Sequence, residues 1–201
     1  MSNLTIAVAT YLSYLIGSFS SAIIVCKVMR FPDPRLQGSR NPGTTNVLRI
    51  GGKKAAAITL LGDVAKGVIP VLLAKWFAMP PVGIALVTFA AFLGHLFPVY
   101  YRFEGGKGVA TALGCMLALD WRVGLCWMAT WGMIAAIFRY SSLAALVASL
   151  VAPVYTWYFT GNLIYTYTIA FMSVMLMLRH ITNIKKLLAG KESKIGKKVS
   201  A

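Results

Sequence analysis

The sequence predicts an all-α integral membrane protein, a seven-transmembrane-helix bundle with its N-terminus outside and its C-terminus cytoplasmic. Three observations predict it. First, 58% of the 201 residues are hydrophobic and only 12% are charged, about half the charged share of an ordinary soluble domain; the mean hydropathy is +0.72. Second, the apolar residues gather into stretches near the length a bilayer core demands, about 20 residues for a helix. Third, the 20 Lys and Arg, against 5 Asp and Glu, fall in alternate loops and in the tail. The net charge of +15 therefore reads as the basic cytoplasmic face of a membrane protein, with no nucleic-acid partner. A soluble fold of this length could not cover so much apolar sequence, so a single transmembrane domain over residues 1–201 is expected.

The expected spans run in order over residues 4–28, 55–78, 82–98, 108–119, 123–138, 142–159 and 163–178. The first lacks a basic segment ahead of it and is followed by Lys27 and Arg30, the pattern of a retained signal anchor rather than a cleaved signal peptide. A polar loop over 29–54 separates it from the second span, which Met79-Pro80-Pro81 closes. The third span leads into a glycine-rich loop over 100–107. The fourth is short and ends at Asp120-Trp121-Arg122; the fifth ends at Arg139-Tyr140. A basic tail from Arg179 is expected to begin as a continued helix. Orientation follows from the cations: Lys27, Arg30, Arg35, Arg40, Arg49, Lys53, Lys54, Arg102, Lys107, Arg139 and the tail to Lys198 share one side, and only Lys75 and Arg122 lie on the other. Cys26, Cys115 and Cys126 sit in apolar surroundings without ligand spacing, so they read as free thiols, with no metal site and no cofactor.

Three polar clusters fall on the cytoplasmic side of this topology. The first, Gly38-Ser39-Arg40-Asn41-Pro42-Gly43-Thr44-Thr45-Asn46-Val47-Leu48-Arg49, combines turn residues with donors. Its glycines free backbone N–H groups to converge, and Pro42 stiffens the turn. Ser39, Asn41, Thr45 and Asn46 can donate to phosphate oxygens, and Arg49 can grip a second phosphate as a fork. The second cluster is Gly94-His95-Leu96-Phe97-Pro98 followed by Phe103-Glu104-Gly105-Gly106-Lys107-Gly108. It opens a helix at Lys107, and helix N-termini attract anions, but no Ser or Thr follows the lysine as a Walker loop requires. In the third, Arg179-His180-Ile181-Thr182-Asn183, i, i+3 spacing puts His180 and Asn183 on one helix face. Two further features keep two readings each. Asp63 and Lys66, within a span, form either a helix-positioning ion pair or part of the site. Ser142 opens a span either as a cap or as a hydroxyl aimed at substrate.

Together these clusters resemble the bacterial acyl-phosphate-dependent glycerol-3-phosphate acyltransferases, the PlsY family. The likeness covers essentially the whole chain. Gly38, Ser39, Asn41, Gly43, Thr45, Asn46 and Arg49 match its first motif, with Arg40 where the family has glycine. Gly94, His95, Pro98, Phe103, Gly105, Gly106, Lys107 and Gly108 match the second, with Glu104 where lysine is common and so expected to point away from the phosphates. Arg179, His180, Asn183, Ile184, Leu187, Gly190 and Glu192 match the third, with Lys186 for arginine. A further stretch appears as Tyr140-Ser141-Ser142-Leu143-Ala144-Ala145, its last serine replaced by Ala145.

The resemblance implies acyl transfer from acyl phosphate to the 1-hydroxyl of sn-glycerol 3-phosphate, giving lysophosphatidic acid and phosphate. It implies an active site facing the cytoplasm in the bacterial inner membrane, membrane lipid around it, and a functional link to an enzyme that makes acyl phosphate. By the same likeness Ser39, Gly43, Thr45, Asn46 and Gly106, with Asn41, hold acyl phosphate. Arg49, Lys107, His180 and Asn183, with Ser142, hold glycerol 3-phosphate. Either His180 or the leaving phosphate takes the hydroxyl proton; the cationic surroundings favour the phosphate, with His180 a neutral binding donor. Acyltransferases that use acyl-CoA often carry Asp five residues after a catalytic His, whereas Tyr100 follows His95 and Lys185 follows His180 here. A transporter of anionic metabolites would call for inverted repeats, which the sequence lacks.

Overall fold

The structure, a computed structural model, describes residues 1–196; Lys197 and Lys198, counted above with the tail, lie outside the described residues. Among the described residues it is entirely helical: α1 (Asn3–Gly17), α2 (Ser21–Val28), α3 (Thr44–Trp76), α4 (Pro81–Leu96), α5 (Val109–Leu119), α6 (Trp121–Phe138), α7 (Ser141–Thr160), α8 (Leu163–Arg179) and α9 (Ile181–Leu188), with a 3-10 turn at Val99–Tyr101. Local chemistry sets the boundaries. Ser2, Asp120 and Asn162 accept first-turn N–H groups of α1, α6 and α8, which otherwise lack partners. Gly161 closes α7 in the left-handed conformation that glycine takes without strain.

Three expectations change. The first span is two helices meeting at 40°, because Ser20 caps α2 and interrupts the ladder. The first polar loop is shorter than expected: α3 already begins at Thr44 and kinks at Gly52, whose φ is +77°. The tail helix does not continue α8 but turns away by 59° at His180. α3, α4 with its 3-10 turn, α6 and α7 are each long and apolar enough to cross a bilayer, and the pairs α1–α2 and α8–α9 qualify as bent units. α5 has 11 residues, about 16 Å of helix against a hydrocarbon core of about 30 Å.

α5 lies along α3, α1 along α4, and α7 between α6 and α8. Phe92, Leu96, Met116, Ile169, Met172 and Leu176 fill the space between α4, α5 and α8. Small residues let backbones touch. A Cβ on Gly114 would lie 2.2 Å from Val64 O, and one on Gly94 2.3 Å from Tyr14 O. On the outside, Leu61, Leu150 and Val154 are 69%, 66% and 65% exposed on helix faces, apolar surface of the kind a spanning helix presents to lipid. One end of the bundle is closed by cations on backbone: Lys75 Nζ donates to Ala118 O and Leu119 O at 3.0 Å, and Arg122 donates to Phe159 O at 3.0 Å. Exposed Trp76, Trp121 and Tyr158 border that end, as aromatic residues do at membrane interfaces.

The opposite end carries the long loops. Arg35 joins two of them, 2.8 Å from Asp33 and 3.3 Å from Glu104, so Glu104 is engaged with Arg35 as a partner of the loop and not as an anion ligand. Gly38 and Arg40 both take positive φ, +62° and +57°. A left-handed turn that glycine makes without strain is therefore made at Arg40 by an arginine under strain.

Two outcomes follow for stability. Gly114→Ala is expected to cost about 1–3 kcal/mol by overpacking the α3–α5 contact, read as a lower unfolding midpoint in detergent. Arg40→Gly is expected to stabilise by up to about 1 kcal/mol, the left-handed penalty less the extra entropy of glycine, with the midpoint rising.

Candidate active site

All three polar clusters lie at this loop-bearing end, and side-chain hydrogen bonds join the second to the third. Lys107, one residue before the Gly108 cap of α5, donates from Nζ to Asn183 Oδ1 in the first turn of α9. Asn183 Nδ2 donates to Glu192 Oε1 at 2.7 Å, and Ser142 Oγ at the start of α7 donates to the same oxygen at 2.7 Å. Glu192 is brought there by the segment after α9, which folds back so that Ile195 N–H donates to Arg139 O at 2.7 Å. Arg179 holds the glycine loop, donating to Gly105 O at 2.9 Å and Gly106 O at 3.2 Å, while its guanidinium lies 5.5 Å from the Phe97 ring centre.

The electrostatics are those of an anion site. Burial lowers the Lys107 ammonium to about 8, against the partial support of Glu192, and the charges of Lys186, Arg179 and Arg49 push the same way as burial. The Arg49 charge, on α3, is thus felt at Lys107 in the loop before α5. His180, 3% exposed, sits at the α8–α9 bend with Nδ1 2.8 Å from Leu176 O. A carbonyl only accepts, so Nδ1 carries the proton. Burial, with the Lys107 charge adding to it, keeps the ring well below the ordinary histidine range. A neutral ring with Nδ1–H committed leaves Nε2 as an acceptor. The expected neutral donor is therefore a neutral acceptor.

The first cluster forms the N-terminus of α3. Gly43 caps it without any side-chain hydrogen bond and its carbonyl takes Asn46 N–H at 3.0 Å, so the N–H groups of Thr44 and Thr45 are the two left without a partner among the described residues, an arrangement that attracts anions. Thr45 Oγ1 lies 3.3 Å from Ser141 Oγ, and Arg49 follows one turn later on the same face. Ser39 is exposed and Asn41 half-buried in the turn ahead of the helix.

Two residues expected at the phosphate are spent internally. Asn46, 1% exposed, accepts from Ser39 N–H at 2.9 Å and donates to Pro34 O and Gln37 O at 2.8 and 3.0 Å. It shapes the loop, since the one amide satisfies three backbone groups of a turn. Gly106 gives its N–H to His95 O at 3.1 Å and its carbonyl to Arg179. Three residues were passed over as site members. Thr44 Oγ1 is buried without a partner among the described residues, at the same helix start. Arg179 and Glu192 were legible only as motif positions; the sole acid in a basic tail was the available signal for Glu192.

Sequence and fold comparisons identify the family. The sequence profile of the family described as glycerol-3-phosphate acyltransferase matches residues 7–190. A glycerol-3-phosphate acyltransferase of Methylococcus capsulatus is 54% identical over 186 residues, covering 92% of this chain and 94% of that one. One of Ralstonia pickettii is 56% identical over 193 residues, covering 94% and 93%. Among solved structures, the chain resembles PlsY (YgiH), an integral membrane glycerol 3-phosphate acyltransferase, in its glycerol 3-phosphate form, with a TM-score of 0.91, 34% identity and 96% of each chain covered. The lysophosphatidic acid form of PlsY gives 0.89 and 33%, again over 96% of each chain. This helical integral membrane chain belongs to the glycerol-3-phosphate acyltransferase family.

Proposed function

We propose that the chain transfers a fatty acyl group from acyl phosphate to the 1-hydroxyl of sn-glycerol 3-phosphate, releasing lysophosphatidic acid and inorganic phosphate. The observation that carries this reading is the placement of two anion-attracting features at one end of the bundle: the start of α3, which has no side-chain cap, and Lys107, with the Arg49 charge near enough to act on it. Two phosphorylated substrates need two such places side by side. The acyl phosphate lies along Ser39, Asn41, Gly43 and Thr45 with its tail in the bilayer, and Thr44 joins them. Asn46 and Gly106 act there by shaping their loops. Glycerol 3-phosphate is held by Arg49, Lys107, Ser142, His180 and Asn183. The positive-inside bias puts this end at the cytoplasmic face of the inner membrane, where an enzyme making acyl phosphate supplies the donor. The two bent pairs and the four long helices then cross the bilayer, and α5, too short to cross alone but mostly buried along α3, completes the seven-helix bundle in a single domain.

The chemistry follows from the residues. The glycerol hydroxyl oxygen attacks the acyl carbonyl carbon, the bond from that carbon to the phosphate oxygen breaks, and the leaving phosphate takes the hydroxyl proton. Holding both substrates in line supplies much of the rate. Preorganised donors and cations stabilise charge as it moves to the phosphate. His180 Nε2 accepts from the 2-hydroxyl of glycerol 3-phosphate and so orients the glycerol chain, which leaves the proton of the attacking 1-hydroxyl to the phosphate. Its low basicity suits an orienting group better than a general base, which works best near the operating pH.

The assay that tests the reading offers acyl phosphate, acyl-CoA and acyl carrier protein thioester to the purified protein. Acyl phosphate alone is expected to give lysophosphatidic acid, with one phosphate per product; turnover with either thioester instead would refute the donor assignment. Lys107 is charged below about 8 and neutral above it. Accordingly kcat/KM for glycerol 3-phosphate is expected to fall above that pH, approaching about tenfold per unit, as seen in initial rates from pH 6 to 10. His180→Gln is expected to keep kcat within about tenfold, the lower end of what a general base contributes being about a hundredfold; steady-state kinetics separate the two.

A further inference from the structure

Below the glycine loop lies a buried polar group that the acyl transfer does not use. Asp63, Lys66 and His95 are 1%, 6% and 7% exposed, inside a bundle whose exterior is apolar. Lys66 Nζ lies 2.9 Å from Asp63 Oδ1 and donates to Phe19 O at 2.7 Å, a carbonyl in the break between α1 and α2. His95 Nδ1 lies 3.7 Å from the same Asp63 oxygen. His95 in turn carries the loop. Its carbonyl accepts Gly106 N–H at 3.1 Å, and its ring sits so close under Gly106 that a Cβ there would be 2.2 Å from Nε2. Arg179 holds the carbonyls of Gly105 and Gly106, so the peptide between these two glycines is gripped by both His95 and Arg179, the next by Arg179, and Lys107 leaves from them.

Stability alone does not account for such a cluster. Buried ion pairs are replaced by apolar residues of like volume with little loss or even a gain, and ionisable groups inside a membrane are costly. Their position relates them to the loop. We propose that Asp63 and Lys66 are positioning residues: Lys66 is fixed to the α1–α2 break, Asp63 is fixed by Lys66, and Asp63 sets the His95 ring on which Gly106 rests. The group thereby fixes where Lys107 meets the headgroup of the phosphorylated acceptor. The inference rests on the proposed role of Lys107.

A double-mutant cycle in lipid nanodiscs tests it, with Asp63→Asn, His95→Gln and both together, scored by KM and kcat for each substrate. Asp63→Asn is expected to raise KM for glycerol 3-phosphate about tenfold with kcat and the acyl-donor KM nearly unchanged, and to have less than about a twofold effect once His95 is Gln. An unchanged KM, or a tenfold effect that persists in the His95→Gln protein, would overturn the proposal, since a purely structural role does not act through His95. If Asp63→Asn alone fails to fold, Asp63→Asn with Lys66→Met, which removes both charges, takes its corner of the cycle under the same criteria. Should the wild type use a thioester donor, the donor assignment fails, while the cycle run with that donor still decides this proposal.

Discussion

The site depends on one chain of contacts, Lys107 to Asn183 to Glu192, with Ser142 joining at the carboxylate. It ties the start of α5, the start of α7, the bent helix α9 and the segment beyond it. These elements are far apart in sequence and present mostly apolar surface to each other. Hydrophobic association is weak as an ordering force between helices in lipid. A half-buried carboxylate that accepts from two side chains is directional, and removing one partner leaves the rest unsatisfied. The cost of that loss holds four chain segments in register around one space.

The bilayer explains why polar chemistry collects where the helices break. Irregular backbone at membrane depth needs internal partners. Lys66 supplies one at the α1–α2 break, Asn46 supplies three in the first loop, and Arg179 caps the glycine loop. Close glycine contacts bring α3 to α5 and α1 to α4, so that the loop ends arrive together. The same devices that make irregular backbone tolerable near lipid therefore assemble the anion site. The neutral state of His180 belongs to this pattern: a ring buried beside Lys107, with Nδ1–H committed to Leu176 O, has no place for a second charge.

Much of this was legible in the sequence. Apolar run length gave the helices from α4 to α8 nearly to the residue, because each is bounded by Pro, Gly, Asp or Asn with a clear capping role. The three clusters were visible because glycines, amides and cations are rare in so apolar a chain. The bends were not legible. Ser18-Phe19-Ser20 and His180 carry no breaker as strong as proline, and their geometry comes from tertiary partners such as Lys66 and Leu176. Nor was the use made of Asn46 and Gly106: a residue that shapes a phosphate loop and one that touches phosphate have the same side chain and spacing. Glu192 was hidden because one acid in a basic tail reads as surface until its partners are placed.

The central claim is that Arg49 and Lys107, from separate parts of the chain, converge on a single anion. Its most direct measurement is a crystal structure of this protein with glycerol 3-phosphate bound. The account predicts one phosphoryl group in hydrogen-bond contact with both the Arg49 guanidinium and Lys107 Nζ, and the 2-hydroxyl of the glycerol turned toward His180 Nε2. A phosphoryl group held by only one of these cations, or two cations facing separate cavities, would contradict it.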